Sequence, residues 1–558
     1  MQNLILRLIF IILLDILSFF ILRFLGIDLI PSLWISFLTG IFQFKDQRPF
    51  LFLALFLGTL FLRGGFFAWM VNFPIYISIP LVCAISQGIL SYTPKKIIPY
   101  LIGYSIFLRL LYLGLPSSTP EEAYYWNYSQ HLSPAYLDHP PMVAWLIGAG
   151  TKIFGVNEFG VRFFSLIFWC VLAAFSFFYC KNFLKEKSPV PILLLATFPL
   201  FFGFSFFTTP DAALFAIWAG SIYFFERAFF SEKPISWLGI ALFLGMGMLT
   251  KYTIALLGFS AFTFIILDKE SRKWLYHPMP YLALLLVFII FSPVIYWNYE
   301  HEWASFAFQT IRRIKQPIHF SFYQLLFFIL IQITPLGLLA FLNKSNYQGI
   351  DYRRKLFITI FTLVPLSVFA IFSLFHEVRV SWTTPIFLVA MPLFVREFNL
   401  RKIYQPMLYF LVIGYGFAFH YMALGIPGIP FRTQTPNPVA WREMAKSVSE
   451  IKTPTKPLMV GMDKYMVASV LAFYSRDVEN VTSSNLFGDD GLMYGFWFRP
   501  SDQKGKTMIL VSVYSNLLDK GLDKFFEKLD PVTKVELTKY SKPSGTFFYR
   551  IGYNYRPI

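Results

Sequence analysis

The sequence predicts an α-helical polytopic membrane protein of about fifteen spans, followed by a small C-terminal α/β domain outside the cytoplasm. Hydrophobic residues make up 56% of the 558 residues and charged residues only 14%, whereas soluble domains average about 45–50% and 25%. Mean hydropathy is +0.57. Two further observations support this class: short Lys/Arg clusters separate the apolar runs, and the long runs stop after Leu424.

The Lys/Arg clusters set the predicted topology, because cytoplasmic loops are enriched in positive charge. The opposite side then receives nearly all the Glu, Asp, His and Trp groups that could do chemistry. A net charge of +17 is also compatible with binding to nucleic acid. The positive charge, however, is divided into short clusters between the spans, which favours a membrane protein. The clusters are Lys45/Arg48, Lys95/Lys96, Lys181/Lys185/Lys187, Arg227/Lys233, Lys269/Arg272/Lys273, Arg353/Arg354/Lys355 and Arg396/Arg401/Lys402.

Apolar runs place about four spans before Lys95 and about eleven between Ile97 and Leu424. Those near Gly239–Thr250 and Tyr252–Leu267 are short. The first 25 residues are typical of an uncleaved span rather than a signal peptide. All three cysteines, Cys83, Cys170 and Cys180, lie in apolar runs and are interpreted as small hydrophobic residues without disulfides.

A Pro-rich linker, GIPGIPFRTQTPNP, follows Leu424 and separates the spans from a mixed polar and apolar segment. The predicted domains are therefore 1–94 (additional spans), 95–424 (transmembrane core) and 425–558 (C-terminal α/β domain). Because the last span runs outward, this domain is expected outside the cytoplasm. Its predicted strands are Pro457–Gly461, Met508–Tyr514 and Thr546–Gly552, and its predicted helices are Met466–Tyr474 and Leu517–Leu529.

The first outer loop carries the adjacent carboxylates Glu121 and Glu122 among three tyrosines and a tryptophan. A carboxylate beside an apolar wall can have a raised proton affinity and serve as a general base. A solvated pair in an interfacial loop is the plain alternative.

Two further acidic motifs lie on the same side. Asp138-His139-Pro140-Pro141 precedes a predicted amphipathic helix, Met142–Phe154, and could bind a divalent metal, a phosphate or a sugar; a helix cap with a polar turn explains it equally well. Asp211 follows Thr208-Thr209-Pro210, where an N-cap role would account for it.

The outer basic residues suggest an anionic ligand. Lys251 lies at an outer span boundary, where it could extend to the interface or neutralise a phosphate. His301 lies in NYEHEWASFAFQ, and Arg312 and Arg313 follow it, on the side where the positive-inside rule disfavours positive charge. Arg379 lies in a second outer polar loop. Anchoring of the chain at the membrane interface is the alternative explanation of that loop.

The sequence has no CxxC, HExxH, P-loop or GxGxxG motif. A transfer enzyme of this form would need a donor activated elsewhere, and a lipid-linked donor meets that need.

Six motifs in order resemble the bacterial branch of the GT-C glycosyltransferases, which includes protein O-mannosyltransferase-like, aminoarabinose-transferase-like and Rgt-like lipopolysaccharide sugar transferases. The resemblance covers roughly Ile97 to Leu424. The motifs are EEAYYWNYSQHLSPAYLDHPPMVAWL, GVRFFS, TTPDAALFAIW, LGMGMLTKYT, NYEHEWASFAFQ and VRVSWTTP.

This resemblance implies an inverting enzyme that moves one sugar from a polyprenyl-phosphate carrier to an envelope acceptor: lipid A, a lipopolysaccharide core, another glycan or a protein. The site would face the exterior of the cytoplasmic membrane. The family's base carries over to Glu121, with Glu122 beside it, although the family usually has Asp-Glu there. Arg162 and Lys251 match family residues that are candidates for contacting the carrier phosphate or holding the loop. Asp138-His139 stands where the aminoarabinose branch has Glu-Lys, so that branch's substrates do not carry over.

Other classes share parts of this pattern. A flippase or transporter of lipid-linked glycans would also have many spans and intramembrane charge, but would not need the carboxylate pair or the α/β domain. A glycan polymerase or ligase would differ in taking a pyrophosphate-linked donor.

Overall fold

The computed structural model describes residues 94–315, 317–401, 404–424, 430–431, 440–519, 521–539 and 542–558. The predicted spans before Lys95, and Cys83, lie outside these residues. Within them the chain is mostly helical, with one small sheet near the C-terminus. The helices are α1 (Pro94–Tyr112), α2 (Pro120–Gln130), α3 (Met142–Phe154), α4 (Glu158–Leu184), α5 (Val190–Thr197), α6 (Pro199–Phe204), α7 (Pro210–Phe230), α8 (Ser236–Met248), α9 (Ala255–Leu267), α10 (Pro278–Glu300), α11 (Ala304–Gln309), α12 (Ile311–Ile314), α13 (Phe322–Leu342), α14 (Tyr352–Ser373), α15 (Met391–Leu400), α16 (Tyr404–Leu424), α17 (Trp441–Ser449), α18 (Met466–Ser475) and α19 (Tyr494–Trp497).

Five of the described helices, α4, α7, α10, α13 and α14, are long and apolar enough to cross a membrane. This is fewer than the eleven spans expected between Ile97 and Leu424. The difference arises partly because proline breaks some apolar runs: Pro199 divides α5 from α6, since proline removes a backbone donor and clashes with the preceding turn. The two segments expected to be short are α8 and α9, at 13 residues each.

By packing, the chain divides into two units. One comprises α1 up to Leu108 and residues Gln405–Phe431; the other comprises Arg109–Tyr404 and Arg432–Ile558. The C-terminal segment therefore packs as one unit with the helices from Arg109 onward. The predicted boundaries at residues 94 and 424 stay predictions.

Within the larger unit, α7 packs along α4 and α8, and α4 packs along α3. The backbones of α3 and α4 approach closely at two glycines. A Cβ on Gly150 of α3 would lie 2.1 Å from the carbonyl oxygen of Gly160 in α4, so this contact requires glycine. The helix α3 has the bounds that its amphipathic pattern predicts.

The C-terminal segment forms a six-stranded mixed sheet in the order β2-β1-β3-β6-β4, with β5 also paired to β6. The neighbours β1–β2 and β1–β3 are parallel, with Met459 opposite Val481 and Leu458 opposite Met508; β6 is antiparallel to β3, β4 and β5. The strands are β1 (Leu458–Gly461), β2 (Val481–Ser483), β3 (Met508–Ser512), β4 (Lys528–Leu529), β5 (Thr533–Lys539) and β6 (Lys542–Tyr553).

Three predicted strands and the predicted helix α18 are present, but the helix expected over Leu517–Leu529 is wrong. Two short 3₁₀ turns and strand β4 occupy that stretch instead. Gly521 adopts a left-handed conformation with φ of 55°, which ends any helix there. Phe525 and Phe526 are then buried in the hydrophobic core of the domain.

One hydrophobic core joins the sheet to the first outer loop. It contains Tyr124 and Trp126 of α2 and Ile147 of α3 together with Val460 of β1 and Leu510 of β3. The loop that carries the carboxylate pair is thus held between the apolar helices and the C-terminal domain.

Candidate active site

Helix α2 begins with a capping box that turns one carboxylate of the pair inward. The side chain of Thr119 accepts from the backbone N–H of Glu122 at 3.2 Å, and the Glu122 carboxylate accepts from the backbone N–H of Thr119 at 2.9 Å. Such a box satisfies two otherwise unpaired donors at a helix start. The local sequence Thr119-Pro120-Glu121-Glu122 therefore directs the Glu122 side chain back over the helix N-terminus.

Glu122 ends in a fully buried ion pair with Arg162 of α4. The Arg162 Nη2 and Nε atoms donate to the two carboxylate oxygens at 2.7 and 2.8 Å, and both side chains are 0% exposed. The backbone N–H of Thr208 donates to the same carboxylate at 2.9 Å. A bidentate pair of this kind fixes geometry as well as charge.

The remaining Arg162 N–H groups hold the end of the preceding loop. They donate to the carbonyl oxygens of Leu113, Pro116 and Ser117 at 2.9–3.1 Å. A guanidinium has five N–H donors, and here each has an acceptor within the protein. Of the two roles predicted for Arg162, contacting the carrier phosphate or holding the loop, this geometry favours the second.

Glu121, by contrast, is exposed. Its Oε1 lies 3.4 Å from the hydroxyl oxygen of Tyr465, which immediately precedes α18 of the C-terminal domain. The two adjacent glutamates therefore have different environments: Glu122 is enclosed and neutralised by Arg162, whereas the Glu121 carboxylate is accessible to a ligand.

Asp138 is held by two tyrosines of α2. The Tyr124 hydroxyl donates to Asp138 Oδ1 at 3.2 Å, and the Tyr128 hydroxyl also donates to it. The backbone carbonyl of Asp138 accepts from the side chain of Gln309 at 2.5 Å. Burial raises the pKa of Asp138, although the hydrogen bond from Tyr128 opposes the shift. Among the described residues, no group of three or more His, Cys, Asp and Glu side chains could hold a metal ion, so the possible metal at Asp138 and His139 gains no structural support.

His139 lies within range of three positive charges. Its ring lies 5.6 Å from that of Tyr125, and its Nδ1 is buried without a hydrogen-bond partner. Burial lowers the pKa of His139 well below the ordinary value, and the positive charges of Lys251, Arg313 and Arg379 lower it further. Three cations from separate parts of the chain thus act on one neutral imidazole beside α2.

These cations differ in their contacts. Lys251 Nζ lies 2.7 Å from Asp211 Oδ1, and about a tenth of each side chain is exposed. The guanidinium of Arg313 lies over the ring of Trp382 at 4.7 Å. Burial, followed by the charge of Arg379, lowers the pKa of Arg313 to about 10. Arg379 is exposed.

Three remaining predicted residues are placed elsewhere. Arg312 pairs with Asp490 of the C-terminal domain, which Lys464 also contacts at 3.1 Å. Its assignment to the donor phosphate stays a prediction. His301 stacks on Trp297 with ring centroids 4.1 Å apart and shares a hydrogen bond with the carbonyl of that residue. Asp211 is not the N-cap of α7: Thr209 occupies that position, and Asp211 lies in the first turn.

Sequence reasoning missed the contribution of the C-terminal domain. The Tyr474 hydroxyl accepts from the backbone N–H of Ser118 and donates to Glu158, both at 2.8 Å, and Arg442 pairs with the same Glu158. The sequence feature that could have indicated this contribution is the pair of tyrosines at the two ends of an apolar helix: Tyr465 just before α18 and Tyr474 near its C-terminus. That pattern is equally typical of a helix buried for packing alone.

Comparisons with known proteins agree with this architecture. The crystal structure of ArnT from Cupriavidus metallidurans bound to undecaprenyl phosphate superposes with a TM-score of 0.61 and 13% identity, over 82% of this chain and 98% of that one. The chain has the GT-C fold. The family profile of dolichyl-phosphate-mannose-protein mannosyltransferases matches residues 138–297. The structural similarity confirms the predicted fold class.

Two named proteins are similar to part of this chain in sequence. Lipid A galacturonosyltransferase RgtD from Rhizobium johnstonii is 23% identical over 243 residues, which are 41% of this chain and 48% of the relative. The undecaprenyl phosphate-alpha-4-amino-4-deoxy-L-arabinose arabinosyl transferase of Pseudomonas aeruginosa is 24% identical over 264 residues, 44% of this chain and 47% of the relative. The chain thus spans about half the length of these relatives.

Proposed function

We propose that the protein is an inverting glycosyltransferase of the cytoplasmic membrane. It moves one sugar from a polyprenyl-phosphate carrier to a hydroxyl of an envelope lipid, glycan or protein on the outer side. The observation that carries this proposal is the unequal environment of the two glutamates. Glu122 is paired with Arg162, whereas Glu121 is exposed on the same helix as Tyr125. Tyr125 packs against His139, on which the charges of Lys251, Arg313 and Arg379 act.

The reaction needs a base and a stabilised leaving group. The acceptor oxygen attacks the anomeric carbon and passes its proton to the Glu121 carboxylate. The bond between that carbon and the carrier phosphate oxygen breaks, and the phosphate leaves with the bonding electrons. Positive charge at the site offsets the anion that forms there.

The cations suit a phosphate. Lys251 has three N–H donors and gives one to Asp211, which leaves two for an anion. The Nε of Arg313 is buried without a hydrogen-bond partner, and Arg379 is exposed. The names of the two relatives support a lipid-linked sugar donor and an envelope acceptor, and the bound undecaprenyl phosphate of the structural relative supports the carrier class.

The base is tested with purified protein reconstituted with a labelled polyprenyl-phosphate sugar and an envelope lipid extract. Glu121→Gln keeps size and most hydrogen bonding but cannot take the proton, so the rate should fall about 10²–10⁴-fold. Glu121→Asp restores the residue usual in the family and should keep substantial activity. Glu479→Gln, at an exposed position of the C-terminal domain, is the matched control. Full activity of Glu121→Gln would contradict this mechanism and favour a transporter of lipid-linked glycans.

The phosphate assignment is tested by varying the donor concentration. Arg313→Ala and Arg379→Ala should each raise the apparent KM for the donor about tenfold or more, because a charge-assisted hydrogen bond contributes about 1.5–3 kcal/mol. Lys251→Ala should act in the same direction. The control is Lys187→Ala, at an exposed position in the predicted cytoplasmic cluster. An unchanged donor KM in all three variants would remove these residues from the phosphate site.

A further inference from the structure

The C-terminal sheet presents the carboxyl ends of its parallel strands to the first outer loop. Among the segments that leave this edge are residues 462–465 after β1 and residues 484–493 after β2. In open sheets, ligand-binding groups concentrate on the loops that follow the carboxyl ends of parallel strands. Here both segments contact α2, which carries Glu121: Tyr465 lies near its first turn, and the backbone N–H of Met493 donates to the hydroxyl of Tyr124 at 3.3 Å.

The segment after β1 is held in a defined conformation. The Asp463 carboxylate accepts from the backbone N–H of Val467 at 3.2 Å, and the Asp463 carbonyl accepts from the Ser484 hydroxyl at 3.0 Å. The ring of Tyr465 packs against that of Tyr124, with centroids 4.7 Å apart. The segment that carries Tyr465 is thus fixed by the hydrogen bonds of Asp463, and the Tyr465 ring by its contact with Tyr124.

Glu121 has no comparable support from its own helix. An exposed glutamate samples several rotamers, whereas a general base must be held in line with the proton that it abstracts. Among the described residues, its carboxylate has a side-chain contact with the Tyr465 hydroxyl, at 3.4 Å. Burial raises the pKa of Tyr465, and the charge of Glu121 raises it further, so this hydroxyl keeps its proton and acts as the donor.

We propose that Tyr465, supplied by the C-terminal domain, is a positioning residue that orients the Glu121 carboxylate for proton abstraction from the acceptor. This inference rests on the proposed function of Glu121. It gives the C-terminal domain a part in the chemistry beyond packing. At 3.4 Å the two oxygens are at the long end of hydrogen-bond distance, and such contacts often tighten only in the complex with substrate.

The test is a double-mutant cycle between Tyr465→Phe and Glu121→Gln, with kcat and the donor KM measured on the reconstituted full-length protein. Tyr465→Phe retains the ring contact with Tyr124 and removes only the hydroxyl. Its kcat should fall about tenfold, with the donor KM within about twofold of the unsubstituted protein. In the Glu121→Gln background the same change should cost less than about twofold, because residues that act through one another are not additive.

Tyr553→Phe is the matched control. It also removes a tyrosine hydroxyl that contacts a carboxylate, that of Asp530 at 3.1 Å, on strand β6, and it should leave kcat unchanged. A wild-type kcat for Tyr465→Phe, or an equal loss in both backgrounds, would overturn the positioning role. If Glu121→Gln itself were fully active, the proposed function would fail instead, and the two failures are therefore distinguishable.

Discussion

At the scale of single residues, the adjacent glutamates have different environments. Glu122 accepts three kinds of hydrogen bond: from its own helix start, from the Thr208 backbone and from Arg162. A buried charge without its partner is strongly destabilising, whereas the same pair intact is close to neutral in stability. The Glu122–Arg162 pair is therefore a structural requirement for the loop on which Glu121 stands.

This structural role predicts a stability defect for Glu122→Gln and for Arg162→Met. Each substitution leaves the other member of the pair buried without its partner, which costs about 3–5 kcal/mol of stability. The unfolding temperature in detergent should therefore fall. Arg312→Gln breaks an exposed pair with Asp490 and should change the unfolding temperature little, since such pairs contribute about 0–1 kcal/mol. Unfolding of Glu122→Gln and Arg162→Met at the unsubstituted temperature would contradict the structural role.

At the scale of elements, α18 of the C-terminal domain fixes the position of α2. Tyr474, at one end of α18, joins the backbone of Ser118 to Glu158 at the start of α4. Arg442 completes this group from α17. Glu158 is buried and lies in the first turn of its helix, where a negative charge is favourable. One carboxylate therefore links the transmembrane helix α4, the first outer loop and the C-terminal domain.

We expect Glu158→Gln to loosen this link. It keeps the size of the side chain but weakens the bonds from Tyr474 and Arg442, and each hydrogen bond to a charged group is worth about 1.5–3 kcal/mol. Hydrogen exchange of the α2 and α18 amides should then speed up about tenfold or more. Glu527→Gln, which breaks an exposed pair with Arg556 on the same domain, is the control. Equal exchange in both variants would contradict the linking role of Glu158.

At the scale of the whole molecule, the shared core of α2 and the C-terminal sheet constrains the topology. Residues as far apart as Tyr124 and Leu510 belong to one hydrophobic cluster, so the first outer loop and the C-terminal domain must lie on the same side of the membrane. The Lys/Arg distribution predicts that this is the outer side.

Reporter fusions test this arrangement. Alkaline phosphatase, which is active only outside the cytoplasm, should be active when fused after Gln130 or Leu424 and inactive after Lys185 or Arg354. Those last two positions lie in the clusters predicted to face the cytoplasm. If only one of the Gln130 and Leu424 fusions were active, the shared core would be contradicted. If both were inactive, the site would face the cytoplasm and the argument for a lipid-linked donor would fail.

The sequence by itself determined the membrane class, the fold class and the loop that carries the candidate site. These follow from hydropathy, charge clusters and short motifs, which are local properties of the chain. It also predicted α3 and α18 with close to their observed bounds, because their patterns match the helical period. It failed over Leu517–Leu529, where the left-handed Gly521 ends the helical pattern.

Only the tertiary structure decided which glutamate is accessible, that Arg162 holds the loop, and that the C-terminal domain reaches Glu121. Glu122 and Arg162 are 40 residues apart, and Glu121 and Tyr465 are 344 apart. Two adjacent glutamates with the same side chain are equivalent in any local pattern. They become different when folding places a buried guanidinium beside one and leaves the other exposed, since burial and charge partners are set by contacts distant in sequence.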